Sequence, residues 1–231
     1  MIDSKKLDEG LYLNVFEKSI VANEKREVTK AYLVSKRVFD ITASILALIV
    51  FAIPMIIIAV LIRLSTGNSP IYKQLRAGKN YKDFYVYKFR SMKDSDKSIE
   101  EILTKKQFKK YCKNNYKLDN DPRVTKIGKF LRRTSLDELP QLINIIKGQM
   151  SVVGPRAIPL RDAEQYGANR TQLQSVTPGL TGYWQVNGRS STSFNEKIKM
   201  DIYYIENRSA WLDLKILLKT VVVVIFMVGA K

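Results

Sequence analysis

A chain of 231 residues, 45% of them hydrophobic, is long enough to enclose one proper core and carry an appendage. Its 39 lysines and arginines outnumber 22 acids, and residues 63–133 alone hold 20 against 7, so the middle of the chain faces something anionic: a nucleic acid, an anionic leaflet or a phosphorylated substrate. The absence of histidine excludes Ser-His-Asp hydrolysis, histidine-bound zinc and a histidine base, and the lone Cys112 gives no disulfide framework, which fits a reducing compartment.

Residues 1–35 are polar, charge-balanced and weakly periodic, and read as a loosely ordered or short helical lead-in without a signal peptide. Residues 41–62 contain no charge. As a helix they would measure about 33 Å, enough for a hydrocarbon core of about 30 Å. Length alone favours a single span. Against it, Lys36 and Arg37 precede the run and Arg63, Lys73 and Arg76 follow it, which puts both ends on the cytoplasmic side, and Pro54 interrupts the helix in the middle. A kinked helix that enters and leaves by one face satisfies both observations, and a proline-kinked span remains the alternative.

Beyond it, residues 69–73 and 83–89 carry strand patterning on either side of Ala77-Gly-Lys-Asn80, predicting a hairpin whose second strand sets Lys88 and Arg90 on one face. Residues 96–113 read as a helix with a lysine-rich face, solvated or apposed to a membrane. Asp119 and Asp121 form an Asp-x-Asp turn that either serves its own backbone or binds a metal. Residues 124–133 are predicted helical.

Then comes Arg132-Arg-Thr-Ser-Leu-Asp-Glu-Leu-Pro-Gln141, where the adjacent carboxylates Asp137 and Glu138 follow an arginine pair and precede the helical run 142–146. Two acids beside cations at a helix start suit a site for anions and a divalent metal. The bland alternative is a capping box, with Ser135 as N-cap and Glu138 three residues on. Gly154-Pro-Arg156 forms a turn that either aims Arg156 at a phosphate oxygen or leaves it exposed. A polar helix is expected over 159–176. The glycine-rich stretch 177–189 brings Tyr183, Trp184, Gln185, Asn187 and Arg189 onto one loop, suited to a nucleobase or sugar phosphate but matching no Walker or dinucleotide fingerprint. Helices are expected over 194–207 and from Trp211 onward. The apolar run 221–230 is too short to span and reads as a core or interfacial helix, with Tyr203, Tyr204 and Trp211 as interface anchors.

Seven stretches taken in order, Lys36-Arg-Val-Phe-Asp40 with the proline-broken helix, Tyr87-Lys-Phe-Arg-Ser-Met92, Ser135-Leu-Asp-Glu-Leu-Pro-Gln141, Val153-Gly-Pro-Arg156, Pro178-Gly-Leu-Thr-Gly182, Gln185-Val-Asn-Gly-Arg189 and Asp201-Ile-Tyr-Tyr204, resemble the bacterial sugar transferases, the monotopic phosphoglycosyl transferases. The likeness covers residues 34–220. It implies an α/β, mainly helical fold: a lead-in over 1–35, a reentrant membrane helix over 36–65 broken at Pro54, and a compact cytoplasmic catalytic domain over 66–231 with a small β-hairpin and interfacial helices. Where some members have serine before that proline, this chain has Ile53, and the extra transmembrane helices that precede the domain in other members are not expected.

The implied activity is transfer of a sugar 1-phosphate from a UDP-sugar to a polyprenyl phosphate such as undecaprenyl phosphate, with Mg²⁺ and release of UMP, at the cytoplasmic face of the inner membrane. It would open the synthesis of a surface polysaccharide or glycoconjugate. The resemblance makes Asp137 the nucleophile of a covalent phosphosugar intermediate and Glu138 its partner in metal binding or proton handling. Lys88, Arg90, Arg132, Arg156, Gln185, Asn187 and Arg189 are the expected substrate-binding residues, and Lys36 and Arg37 the membrane-proximal cations. A membrane-anchored binder of nucleic acid or anionic lipid is the competing reading. It predicts cations spread along helices with stacking aromatics, whereas carboxylates and glycine loops punctuate this basic run, so no nucleic-acid partner is expected.

Overall fold

The computed structural model describes residues 28–94, 97–113, 118, 121–188 and 192–225. Its first element, α1 (Lys30–Thr66), is a single 37-residue helix that runs through Pro54. It starts where Thr29 Oγ1 accepts from the Tyr32 amide at 3.2 Å and stops at Gly67, whose φ of 72° and N–H to the Arg63 carbonyl close a left-handed cap. The expected 36–65 helix is therefore longer by a turn and a half at its start. Proline at 54 withholds the donor that would reach the Val50 carbonyl, yet the helix continues through it and the break expected there is not seen.

Both halves of α1 lie against the same body. Near its start, Asp40 Oδ1 accepts from the Val152 amide at 2.9 Å, Ser44 is fully buried, and Arg37 donates to the carbonyls of Ile145 and Ile146 at 2.6 and 2.8 Å. Ala47 and Leu48 pack on a core of Phe84, Val86, Leu142, Ile145, Met150 and Ala157. Near its end, Ile58 and Ile62 join Phe89 and Leu131. Between these contacts residues 49–54 are exposed throughout, with Ile49, Val50 and Ile53 each about 70% accessible.

The expected hairpin forms, with its first strand two to three residues further along than the 69–73 read from the pattern: β1 (Ile71–Arg76) pairs antiparallel with β2 (Phe84–Phe89), Tyr72 opposite Lys88 and Arg76 opposite Phe84. The single helix expected over 96–113 is instead two, α2 (Ile99–Ile102) and α3 (Lys105–Lys113), because buried Leu103 is extended and Thr104 restarts the chain with its hydroxyl on the Gln107 amide. α4 (Lys126–Thr134), capped by Thr125, leads through a short 3₁₀ turn, Leu136–Glu138, into α5 (Gln141–Ile146). The long polar helix expected over 159–176 is also broken. It consists of α6 (Leu160–Glu164), a 3₁₀ turn at Gly167–Asn169 where Gly167 takes a φ of 52°, and α7 (Arg170–Leu173). Glycine at this point breaks the helical period that the polar pattern suggested.

A second, parallel pair joins β3 (Ser151–Val153) to β4 (Gly179–Thr181), followed by α8 (Tyr183–Asn187). Among the described residues the sheets are thus two small pairs in a mostly helical body. α9 (Phe194–Asn207) has the bounds read from its periodicity and starts with a full capping box of Ser193 and Glu196. α10 (Ala210–Ile225) buries Ile216 in a core with Val153, Tyr166, Tyr204 and Ile205, while its Trp211, Leu218, Val221 and Val222 remain more than half exposed. One ion-paired node ties α10 to the start of α1. Asp213 accepts from Lys36 Nζ at 2.6 Å, Tyr32 at 2.9 Å and Tyr204 at 2.8 Å.

Candidate active site

The site is built where α4 hands over to α5 beneath β2. α4 can approach the residues after β2 because position 128 is glycine: a Cβ there would lie 1.9 Å from the Ser91 carbonyl oxygen. That approach lets Arg132 Nε donate to Ser91 Oγ at 2.9 Å. Ser135 then adopts a left-handed φ of 59° and closes α4, and its side chain does not cap the 3₁₀ turn Leu136–Glu138. The capping box read at Ser135 and Glu138 does not form. A residue in the left-handed region cannot present an extended N-cap, and the Glu138 carboxylate is drawn to two cations instead of one amide. Leu136 and Leu139 anchor the 3₁₀ turn in the core against Phe89 and Leu131. Asn144 of α5 bonds both the Tyr85 carbonyl and the Tyr87 amide of β2, at 2.8 and 3.0 Å, which fixes the dyad opposite Lys88.

Glu138 Oε1 accepts from Lys88 Nζ at 2.6 Å and from Arg156 Nη2 at 2.9 Å. Burial works against its ionisation, but Arg156 and Lys88 outweigh it and bring its pKa down to about 2. Asp137 differs. Among the described residues no donor bonds its carboxylate, and burial raises its pKa, with Glu138 adding to the rise and Lys88, Arg132 and Arg156 opposing it. One acid is clamped and the other is available.

Arg156 owes its position to three glycines. A Cβ on Gly179 would come within 2.1 Å of the Gly154 nitrogen, and one on Gly182 within 2.3 Å of the Gly154 oxygen, so only glycine lets the strands cross this closely. Gly154 donates to Thr181 and Gly179 to Pro155, at 2.9 and 2.7 Å, and the pairing continues to Arg156 opposite Gly179. The glycine motifs are thus a backbone crossing that delivers Arg156. Behind it Asp201, fully buried, accepts from Tyr166 at 2.8 Å, and burial raises its pKa to about 7 against the Tyr166 bond and the charge of Arg156. Lys197 stacks over Trp184 at 4.9 Å on the same side.

Of the residues expected to bind substrate, Lys88 and Arg156 meet at Glu138, and Arg132 adds charge near Asp137. Arg90 is directed elsewhere, to the Ser69 carbonyl at 2.7 Å and to the Asp94 carboxylate. Gln185 donates to the Leu180 carbonyl and keeps a buried Oε1 without a partner among the described residues, whereas Asn187 is held by Tyr183 and by Lys219 of α10. Arg189 and Asp119 lie outside the described residues. Asp121 is occupied by both forks of Arg123, so an Asp-x-Asp metal pair would have to displace that arginine. Lys36 and Arg37 serve as ties to Asp213 and to the end of α5. Arg76, Ser91, Gln141 and Asn144 were not singled out as site residues from the sequence. Their only signal was proximity to the hairpin and the dyad motif.

Among the described residues no cluster of three acids, cysteines or histidines surrounds a point. Asp137 together with the uncommitted Oε2 of Glu138 still matches what Mg²⁺ asks of a nucleotide-handling protein, one or two carboxylates completed by substrate phosphate oxygens.

Residues 31–227 match a family model described as bacterial sugar transferase. Over 215 residues the chain is 40% identical to the galactosyl transferase CpsE of Streptococcus agalactiae, covering 92% of this chain and 47% of that protein. It is 41% identical over 197 residues to the undecaprenyl-phosphate galactose phosphotransferase of Salmonella typhimurium, covering 84% of this chain and 41% of that one. It is also 40% identical over 190 residues to the exopolysaccharide production protein ExoY of Rhizobium meliloti, covering 81% and 84%. The chain therefore spans less than half of the first two relatives and most of the third.

Proposed function

Since this chain belongs to the bacterial sugar transferase family, we propose that it transfers a sugar 1-phosphate from a UDP-sugar to undecaprenyl phosphate and releases UMP, opening the assembly of a surface polysaccharide or glycoconjugate. The observation that carries this reading is the unequal dyad: Asp137 without a hydrogen-bonding partner among the described residues, beside Glu138 clamped by Lys88 and Arg156. A relative's name, undecaprenyl-phosphate galactose phosphotransferase, supports the acceptor.

In the reaction, an Asp137 carboxylate oxygen attacks the phosphorus that bears the sugar. The bond from that phosphorus to the bridging oxygen breaks, UMP leaves with that oxygen, and an aspartyl phosphosugar remains. A phosphate oxygen of undecaprenyl phosphate then attacks the same phosphorus, the acyl phosphate bond breaks, and Asp137 is regenerated as a carboxylate. Lys88, Arg156 and Arg132 offset the repulsion between an anionic nucleophile and an anionic donor. Mg²⁺, held by Asp137 and Glu138 Oε2, would neutralise charge on the diphosphate. Burial keeps Asp137 poorly solvated and so a stronger nucleophile once ionised.

The acceptor's polyprenyl chain requires a membrane. α1 is long and apolar enough to cross one by length and composition. Its two ends rest on the same domain and residues 49–54 form an unbroken exposed stretch between them, which supports a helix that dips into the cytoplasmic leaflet of the inner membrane and returns. The exposed apolar side of α10 supports a second contact in the interface plane.

The test is to incubate the membrane-embedded protein with a panel of UDP-sugars, undecaprenyl phosphate and Mg²⁺, and to follow UMP. Release that depends on both a particular UDP-sugar and the lipid supports the reading. No release with any of them, from protein that binds Mg²⁺ and is folded, overturns it.

A further inference from the structure

We propose that Arg76 forms, with Lys88, Gln141 and Arg156, a subsite for one phosphate oxygen of a diphosphate, beside Glu138 at the candidate active site. The inference rests on the reading of the chain as a transferase that uses a nucleotide diphosphate sugar. These four side chains line one small, partly open cavity, and among the described residues no carboxylate lines it. Three cations meet in one hollow, where Glu138 pairs directly with Lys88 and Arg156 but not with Arg76, which leaves room for a further anion.

Arg76 carries the argument. Its Nη1 donates to the Ala157 carbonyl at 3.2 Å and its Nη2 to Gln74 Oε1, whereas its Nε is buried and has no acceptor among the described residues. Burial and the neighbouring charge of Arg156 depress its pKa to about 10, an environment that would favour an added negative charge. Arg156 and Lys88 both spend a donor on the same oxygen of Glu138, so that acid cannot satisfy the group alone. Anchoring the hairpin to one carbonyl would not need a guanidinium placed next to another. The enclosed part of the cavity has room for about one water-sized group, which admits a phosphate oxygen. A planar arginine fork beside a lysine and an amide suits that oxygen.

Pyrophosphate separates this subsite from turnover, since it offers the diphosphate without sugar or nucleoside. Inorganic pyrophosphate is titrated calorimetrically into the full chain in detergent, for wild type, Arg76→Gln, Arg76→Lys and Gln74→Ala, with the KM for the UDP-sugar measured alongside. Arg76→Gln is expected to weaken pyrophosphate binding at least tenfold and to raise KM by a similar factor, while Arg76→Lys, which keeps the charge and loses the fork, weakens it a few-fold. Gln74→Ala, which removes only the partner of Arg76 on β1, should leave both within twofold. Should Arg76→Gln fail to fold, Arg76→Lys decides by the same readout. Binding by a folded Arg76 variant within twofold of wild type, or an equal loss in Gln74→Ala, overturns the subsite and assigns Arg76 to the scaffold. Arg76-dependent pyrophosphate binding in a chain that releases UMP from no UDP-sugar would instead overturn the transferase reading and leave the subsite standing.

Discussion

Lys88 Nζ and Arg156 Nη2 converge on a single oxygen of Glu138, at 2.6 and 2.9 Å, although one comes from the hairpin and the other from the crossing of β3 and β4. Glu138 is thereby the joint between two sheets, and it stays ionised down to a pH of about 2. Its folded pKa lies below its ordinary value of 4.5, so its contribution to stability is fully present above pH 4.5 and is lost as the pH falls toward 2. Asp137 is shifted the other way, and the proposed double displacement needs its ionised form. Turnover should therefore fall with acid at a pH above the usual carboxylate range, while circular dichroism still reports a folded protein. An acid limb that coincides with unfolding would contradict the assignment of two roles to the two acids.

Arg37 bridges α1 to the end of α5 through two carbonyls, Ile145 and Ile146. Its loss leaves helix-terminal acceptors without their charged donor, so Arg37→Ala should cost about 2 kcal/mol in denaturant unfolding. Arg37→Lys should recover less than half of that, because a point charge cannot reach both carbonyls as a fork does. Full rescue by lysine would show that charge alone matters here.

Gly179→Ala places a methyl carbon 2.1 Å from the Gly154 nitrogen, a contact with backbone on both sides that no rotamer relieves. The β3–β4 pairing should open, destabilising the protein by about 3 kcal/mol or more and displacing Arg156 from Glu138. Thermal unfolding gives the first effect and loss of UMP release gives the second. A variant with wild-type melting and activity would mean that the crossing does not position Arg156.

The hairpin, α9 and the dyad were legible because each rests on a local signal: strand alternation, a 3.6-residue period, and two adjacent acids after two arginines. The breaks in 96–113 and 159–176 were not, since a buried Leu103 and a left-handed Gly167 override a pattern that is helical on average. Ser135 and Glu138 misled in the opposite way. The Ser-x-x-Glu spacing was present there without its box, while the same spacing at Ser193 and Glu196 forms one. Long-range cations decided the difference, and they are 50 and 18 residues from Glu138 in sequence. Arg90 looked equivalent to Lys88 by strand alternation, but it lies just past the end of β2 and turns to Asp94.

Both ends of α1 rest on one domain, so a cysteine at Ser35 and one at Ser65, each in a Cys112→Ser background, should resist an impermeant thiol reagent in intact cells and react after permeabilisation. Pro54→Leu restores a donor to the Val50 carbonyl and stiffens the helix, which should expose one end to the reagent or uncouple Ile58 and Ile62 from Phe89. Labelling of one end of the wild-type helix in intact cells would identify a span.

The most direct test is the mass of the protein after incubation with its UDP-sugar and Mg²⁺ in the absence of lipid acceptor. A double displacement at Asp137 requires a gain of one sugar phosphate, mapped to Asp137, that disappears when undecaprenyl phosphate is added and never forms in Asp137→Asn. Glu138→Gln should lower the rate of adduct formation without moving the site of attachment. UMP release by Asp137→Asn at a near wild-type rate, with no adduct in either protein, would contradict the account and leave these acids as scaffold for a single displacement.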